Sequence, residues 1–177
     1  ASLSPHGDHD AYRREAERCI KDLNFVGIKL HTIGHGVNPL SDDGDFVFAT
    51  AHDLGIPAMV HTGAGVPFAL PALCIPAARK YPGLKIILAH AGMAVFTAEA
   101  QVAASVCGNL YPETSWCIGE DIRWMISTIG PDRVMMGADL PSNVPVEVSK
   151  YRSLDLAPDV YNQVMGGTAV EVFKLKW

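Results

Sequence analysis

Three short apolar runs in this chain each end on a group that can bind a metal ion or move a proton. "MVHTG" puts His61 after Met59 and Val60, "ILAHAG" puts His90 after Leu88 and Ala89, and "MMGADLP" puts Asp139 after Gly137 and Ala138. Neutral imidazole nitrogen and carboxylate oxygen are donors that zinc and manganese take, at bond lengths of roughly 2 Å. The same groups serve as acids and bases near neutral pH. Each also has a plainer reading. Either histidine alone would suit a hydrogen-bonded core residue, and Asp139 could merely cap the turn before Pro141. An acid following "VMMGA" is unfavourable to bury unpaired, so a cation is expected beside it.

The elements that carry these residues alternate. Strand-like runs lie at 25–31, 56–61, 84–90, 108–115 and 132–139, each rich in apolar or β-branched residues. Helical spacing falls between them. Over 8–23, Tyr12, Ala16, Cys19, Ile20 and Leu23 share one face, with Asp8 or Asp10 as the cap. A second helix over 45–54 stops at Gly55, others cover 94–106 and 120–129, and a last one is capped by Thr168. Pro71 suits a first helical turn, whereas Pro76 would kink that helix or restart it. Strand ends recur every 25 to 30 residues or so, which is the length of one βα unit. Nearly unbroken apolar strands separated by helices predict a parallel sheet covered by helices, in one domain spanning 1–177. The C-terminal ends of such strands open on one face, so residues distant in sequence are brought together there.

Composition narrows the function. The chain has 177 residues, 49% of them apolar, and a net charge of −5, so no broad basic surface exists for nucleic acid or anionic membrane. No apolar run is long enough to span a bilayer, and "ASLSPHGDHD" lacks the pattern of a signal peptide, so a cytoplasmic location is expected. Cys19, Cys74, Cys107 and Cys117 form no CxxC pair and read as buried thiols.

With these residues in place, the chain resembles the amidohydrolase superfamily, and more narrowly the amidohydrolase-2 branch of aminocarboxymuconate semialdehyde decarboxylase-like enzymes. The motifs are "FVGIKLH", "GIPAMVHTG", "LKIILAHAG" and "GPDRVMMGADLP", in order over nearly the whole chain, with "VMGGTAVEVFKL" matching the closing helix. The resemblance implies an α/β fold, the C-terminal part of a TIM (β/α)8 barrel, and a metal-dependent hydrolase or non-oxidative decarboxylase acting on a small carboxylic acid or cyclic substrate. It implies His61 and Asp139 as metal ligands, and His90 as a further ligand or the residue that moves a proton. The expected cofactor is a divalent metal, zinc before manganese. The His-x-His or Glu-x-His pair of the family's first strand is absent, and "ASLSP" resembles the end of strand three. A whole barrel takes about 250 residues. The chain therefore resembles a barrel lacking its first strands, expected to bind metal weakly by itself. Its open sheet edges predict a homo-oligomer that covers them.

The remaining polar residues divide. Lys29, between Ile28 and Leu30, faces the barrel interior if those two face helices, where it is carboxylated or pairs with Asp139 or Glu113. His31 shares its parity and lines the mouth. Glu113 in "YPETS" is a pocket residue or a solvated one. Lys29, His31 and Glu113 are thus the candidate substrate contacts. His6 and His9 read as a solvated loop, His35 and His52 as surface or helix residues, and the Met and Trp residues as core. "GAGVP" carries no phosphate-loop pattern, which weighs against a doubly wound nucleotide-binding domain. The alternative to an enzyme is a catalytically silent incomplete barrel that serves as a structural or interaction domain.

Overall fold

A computed structural model describes residues 1–176. Its centre is a parallel sheet of Ile28–Leu30 (β1), Ala58–His61 (β2), Ile86–Ala89 (β3) and Leu110–Pro112 (β4), in the order β1-β2-β3-β4. Each strand pairs with the next in sequence, so the sheet winds one way with no reversal of order. That is a barrel arc and not a doubly wound sheet, whose order reverses at a switch point. Two single bridges extend the arc, Ser2 beside Lys29 and Met135 beside Glu113. The first extends the sheet beyond β1 at the N-terminal segment. The second corrects the expectation of a full strand over 132–139: the segment makes only one bridge, because Pro131–Arg133 is a 3-10 turn and the chain leaves toward Val164 directly after Met135.

Alternation decides the two faces. Ile28, Leu30, Ala58, Val60, Ile86, Leu88 and Leu110 point outward and are buried under the helices. Each such aliphatic side chain contributes roughly 1.5–3 kcal/mol on burial. Lys29, Met59, Ile87 and Tyr111 stand in register on the inner face. One rung further along, the inner face carries His61 paired in register with Ala89.

The helices follow the local signals. His9–Lys21 (α1) starts at Asp8, whose carboxylate accepts from the amides of Asp10 and Ala11, and it buries Tyr12, Ala16 and Cys19. Leu23 lies beyond its end and is exposed. Asp42–Asp53 (α2) is capped by Ser41 and ends before Gly55, at φ +64°. Pro71–Cys74 forms a 3-10 turn and Ile75–Lys80 (α3) restarts the helix with Pro76 in its first turn, where the missing N–H would have no partner anyway. Thr97–Val106 (α4) and Gly119–Ile129 (α5) lie where the spacing places them. Val144–Ser153 (α6), Pro158–Asn162 (α7), a π turn at Gln163–Gly167 and Thr168–Phe173 (α8) complete the chain. Thr168 does not cap α8; its hydroxyl donates to the carbonyl of Pro131 and ties the helix to the last bridge. No helix among the described residues is long and apolar enough to cross a membrane.

Two further expectations are corrected. His6 is exposed, as a solvated loop residue is, but His9 is half-buried and opens α1. Both bond the Asp43 carboxylate, at 2.8 and 2.9 Å, and His9 stacks on Phe46, which joins the N-terminal segment to α2. Nor are the tryptophans all core. Trp116 and Trp124 are exposed, while Met125 and Met135 are buried; Trp177 lies outside the described residues.

Candidate functional site

The C-terminal ends of the strands do meet. His61 closes β2 on the inner face, and its ring lies 5.1 Å from that of His90 in an edge contact. His31 stacks on the other side of His61 at 4.6 Å and lines the mouth, exposed. The Nε2 of His61 is 2.8 Å from the carbonyl oxygen of Ala64. A carbonyl only accepts, so Nε2 carries the proton and Nδ1 of the neutral ring keeps its lone pair.

His90 reaches the site by a different route. By strand alternation it shares the parity of Ile86 and Leu88 and would point into the helices. Its backbone instead has φ +70°, the first of five consecutive residues with positive φ that run to Ala94. A non-glycine residue there is unfavourable by roughly 1–3 kcal/mol and persists only where its surroundings impose it. The imposing contacts are two hydrogen bonds: Glu113 accepts the His90 N–H at 3.0 Å, and the Thr62 hydroxyl accepts the Gly92 N–H at 3.0 Å.

Glu113, left open between pocket and solvent, is buried. Its Oε2 accepts from the His90 amide and from the Ser115 hydroxyl at 3.0 Å, and its Oε1 accepts from the Ser115 amide at 2.8 Å. Gly137 gives it room, since a Cβ there would overlap the Glu113 carboxylate. This network sets the His90 tautomer. The one proton of the Ser115 hydroxyl goes to Glu113, so its oxygen accepts from Nδ1 of His90, 2.7 Å away. The Nε2 lone pair is therefore free, and it faces Oδ1 of Asp139 at 3.9 Å.

Asp139 corrects the expectation of a buried acid: its side chain is 39% exposed at the rim. It sits at φ +62° beyond the last bridge, and its Oδ2 accepts from the indole N–H of Trp116 at 3.0 Å. Lys29 points inward as its parity predicts and lines, with Met59, His90, Glu113, Gly137 and Asp139, a cavity of about 300 Å3.

Burial dominates the electrostatics. It lowers the His90 pKa to about 4, with the Lys29 charge acting the same way and Asp139 opposing. It lowers His61 too, against the bond to Ala64. Both rings are neutral at pH 7, the form that binds metals and accepts protons. Burial lowers Lys29, opposed by Glu113 and Asp139, and raises Glu113, opposed by its hydrogen bonds and by Lys29. For Glu113 the geometry favours the carboxylate, because both oxygens face backbone N–H donors.

The donor chemistry fits a divalent cation. Imidazole and carboxylate are donors that zinc and manganese take, and His61 keeps a lone pair on Nδ1 while the Asp139 carboxylate stands at the same rim. Yet among the described residues no three His, Cys, Asp or Glu side chains close around one point. His61 is adjacent, with its Nε2 turned to Ala64. Sequence reasoning missed Ser115 and Trp116. "ETS" offered a short hydroxyl two residues from a strand-end acid, which was a usable signal; nothing in the sequence marked the Trp116 N–H.

Comparisons with known proteins bear on the family and the fold. The amidohydrolase family model matches residues 3–175. No curated protein matches the chain in sequence. Among solved structures, 5-carboxyvanillate decarboxylase from Sphingomonas paucimobilis is similar at 19% identity and TM-score 0.80, over 99% of this chain and 66% of that one. A TIM-barrel protein from Bordetella bronchiseptica gives 17% and 0.84, over 98% and 65%. The Novosphingobium aromaticivorans 5-carboxyvanillate decarboxylase, complexed with manganese and 4-hydroxy-3-methoxy-5-nitrobenzoic acid, gives 21% and 0.76, over 98% and 63%. At these identities the likeness is one of fold, and this chain spans about two thirds of their length.

Proposed function

The chain belongs to the amidohydrolase family, and from that premise we propose that it carries the proton-transfer half of a divalent-metal-dependent decarboxylase or hydrolase acting on a small cyclic carboxylic acid. The observation that supports this reading is the approach of His61, His90 and Asp139 at one rim, with the free Nε2 of His90 3.9 Å from the Asp139 carboxylate. His61 and Asp139 would hold the cation, and His90 stands beside it with its Nε2 left for proton transfer. Imidazole with carboxylate suits zinc and manganese alike, and a similar fold was solved with manganese. When bound, such a cation acts as a Lewis acid and makes hydroxide available near neutral pH.

The chain's own residues then do three things. Glu113 and Ser115 keep the His90 proton on Nδ1, so Nε2 is always the working nitrogen. Burial keeps that ring neutral, ready to take a proton from water in hydrolysis. The same burial makes the protonated ring a strong proton donor. In decarboxylation the ring takes a proton from solvent at Nε2 and gives it to the carbon whose bond to the carboxylate breaks, with carbon dioxide leaving. Lys29, inside the cavity, supplies a positive group for an acidic substrate.

Manganese titration of the purified chain tests the reading. One ion per chain is expected, with uptake lost in His61→Ala. No uptake at saturating manganese would instead support a catalytically silent domain.

A further inference from the structure

Asp139 comes nearest to His90 through Oδ1, while its Oδ2 accepts from the indole N–H of Trp116. We infer that Trp116 is a positioning residue for Asp139: its indole N–H holds Oδ2, so that Oδ1 alone faces His90 and the cation. The inference rests on the metal-site reading above and adds a residue to it.

The geometry has two layers. Trp116 Nε1 donates to Oδ2 of Asp139 at 3.0 Å, while Oδ1 stands 3.9 Å from Nε2 of His90. Behind it, the backbone of Trp116 is held in a conformation that a bulky side chain rarely adopts, φ +67°. Its amide N–H donates at 3.0 Å to Oε1 of Glu147, a fully buried carboxylate on α6. Asn143 and Lys150 bond the same oxygen at 3.0 and 2.7 Å, and Lys150 also donates to the Cys117 carbonyl at 2.8 Å. The other oxygen of Glu147 is buried with no partner. An acid is thus taken out of water, with one oxygen unsatisfied, to hold the backbone of a residue whose ring is 40% exposed. Core packing does not explain that arrangement, since the ring is not in the core. Aiming the indole N–H at Asp139 does.

The plain alternative is a surface tryptophan that touches Asp139 by accident of exposure. Trp124 is the internal control. It is 43% exposed, and its indole N–H makes no hydrogen bond among the described residues. A carboxylate that loses such an orienting partner can rotate or bind through both oxygens, and losing an outer partner of a metal ligand typically weakens metal affinity 10- to 100-fold.

The test uses the whole chain with zinc chloride as the only added ligand. Calorimetric titration compares wild type, Trp116→Phe and Trp124→Phe. In parallel, the indole 1H–15N signal of Trp116, assigned by its loss in Trp116→Phe, is followed on zinc addition and in Asp139→Asn. We expect zinc affinity to fall at least about 10-fold in Trp116→Phe and to stay unchanged in Trp124→Phe. We also expect the Trp116 indole signal to move both with zinc and in Asp139→Asn, a response that a purely structural ring contact would not give. Unchanged zinc affinity in Trp116→Phe, or an indole signal indifferent to Asp139→Asn, overturns the inference while leaving the metal site standing. No zinc uptake by wild type overturns the metal-site reading and this inference with it.

Discussion

Glu113→Gln, a change that keeps shape and removes a charge, is expected to destabilise the chain by about 2–3 kcal/mol. The reason is an inventory of donors. Oε1 faces the Ser115 amide and Oε2 faces the His90 amide and the Ser115 hydroxyl. A carboxylate accepts on both sides, but a carboxamide has one oxygen, so its NH2 would face an N–H inside a buried site. Two donors with no acceptor between them leave at least one buried polar group unpaired. The strained backbone from His90 to Ala94 loses an anchor in the same step. Urea unfolding followed by circular dichroism reads the effect as a lowered midpoint with an unchanged slope. A midpoint equal to wild type would mean that Glu113 is held as the neutral acid, the direction in which burial alone pushes it.

The second large effect falls on turnover. With manganese present and 2,6-dihydroxybenzoate as the probe acid, His90→Gln is expected to lower any decarboxylation rate about 10²- to 10⁴-fold, the range for losing a positioned proton-transfer group. Glutamine at 90 still offers polar atoms to Ser115 but none that exchanges a proton near neutral pH. The loss should fall on kcat, with KM little changed, because the ring is needed when a proton moves and less when substrate binds. Carbon dioxide release from the same samples gives both parameters. Equal rates in wild type and variant would remove His90 from the chemistry and leave it a purely structural residue.

Much of this site was legible before any coordinates. The alternation of apolar strands and helices fixed the parallel sheet, and the strand-end positions of His61 and Lys29 followed from period-two parity, which places both on the inner face. Parity alone would have sent His90 the wrong way. What turns it inward is a run of positive φ angles, and that depends on Glu113 and Thr62, which are 23 and 28 residues away in sequence. Asp139 was legible as a polar residue at the rim but not as an exposed one, because its surroundings come from Trp116 on another loop. The segment 132–139 reads as a strand by composition, yet its pairing is limited to Met135, as the chain turns to bond Val164. Glu147 had no signal at all: a lone glutamate between Val146 and Val148 gives no hint that its buried carboxylate holds the Trp116 amide.

On the proposed reading, His61 and Asp139 hold one cation beside His90. Anomalous scattering at the manganese edge, from crystals of the chain grown with manganese, tests this most directly. The predicted result is a single peak at roughly 2 Å from the Asp139 carboxylate and an imidazole nitrogen of His61. A peak at the His6, His9 and Asp43 cluster with none at this rim would contradict it.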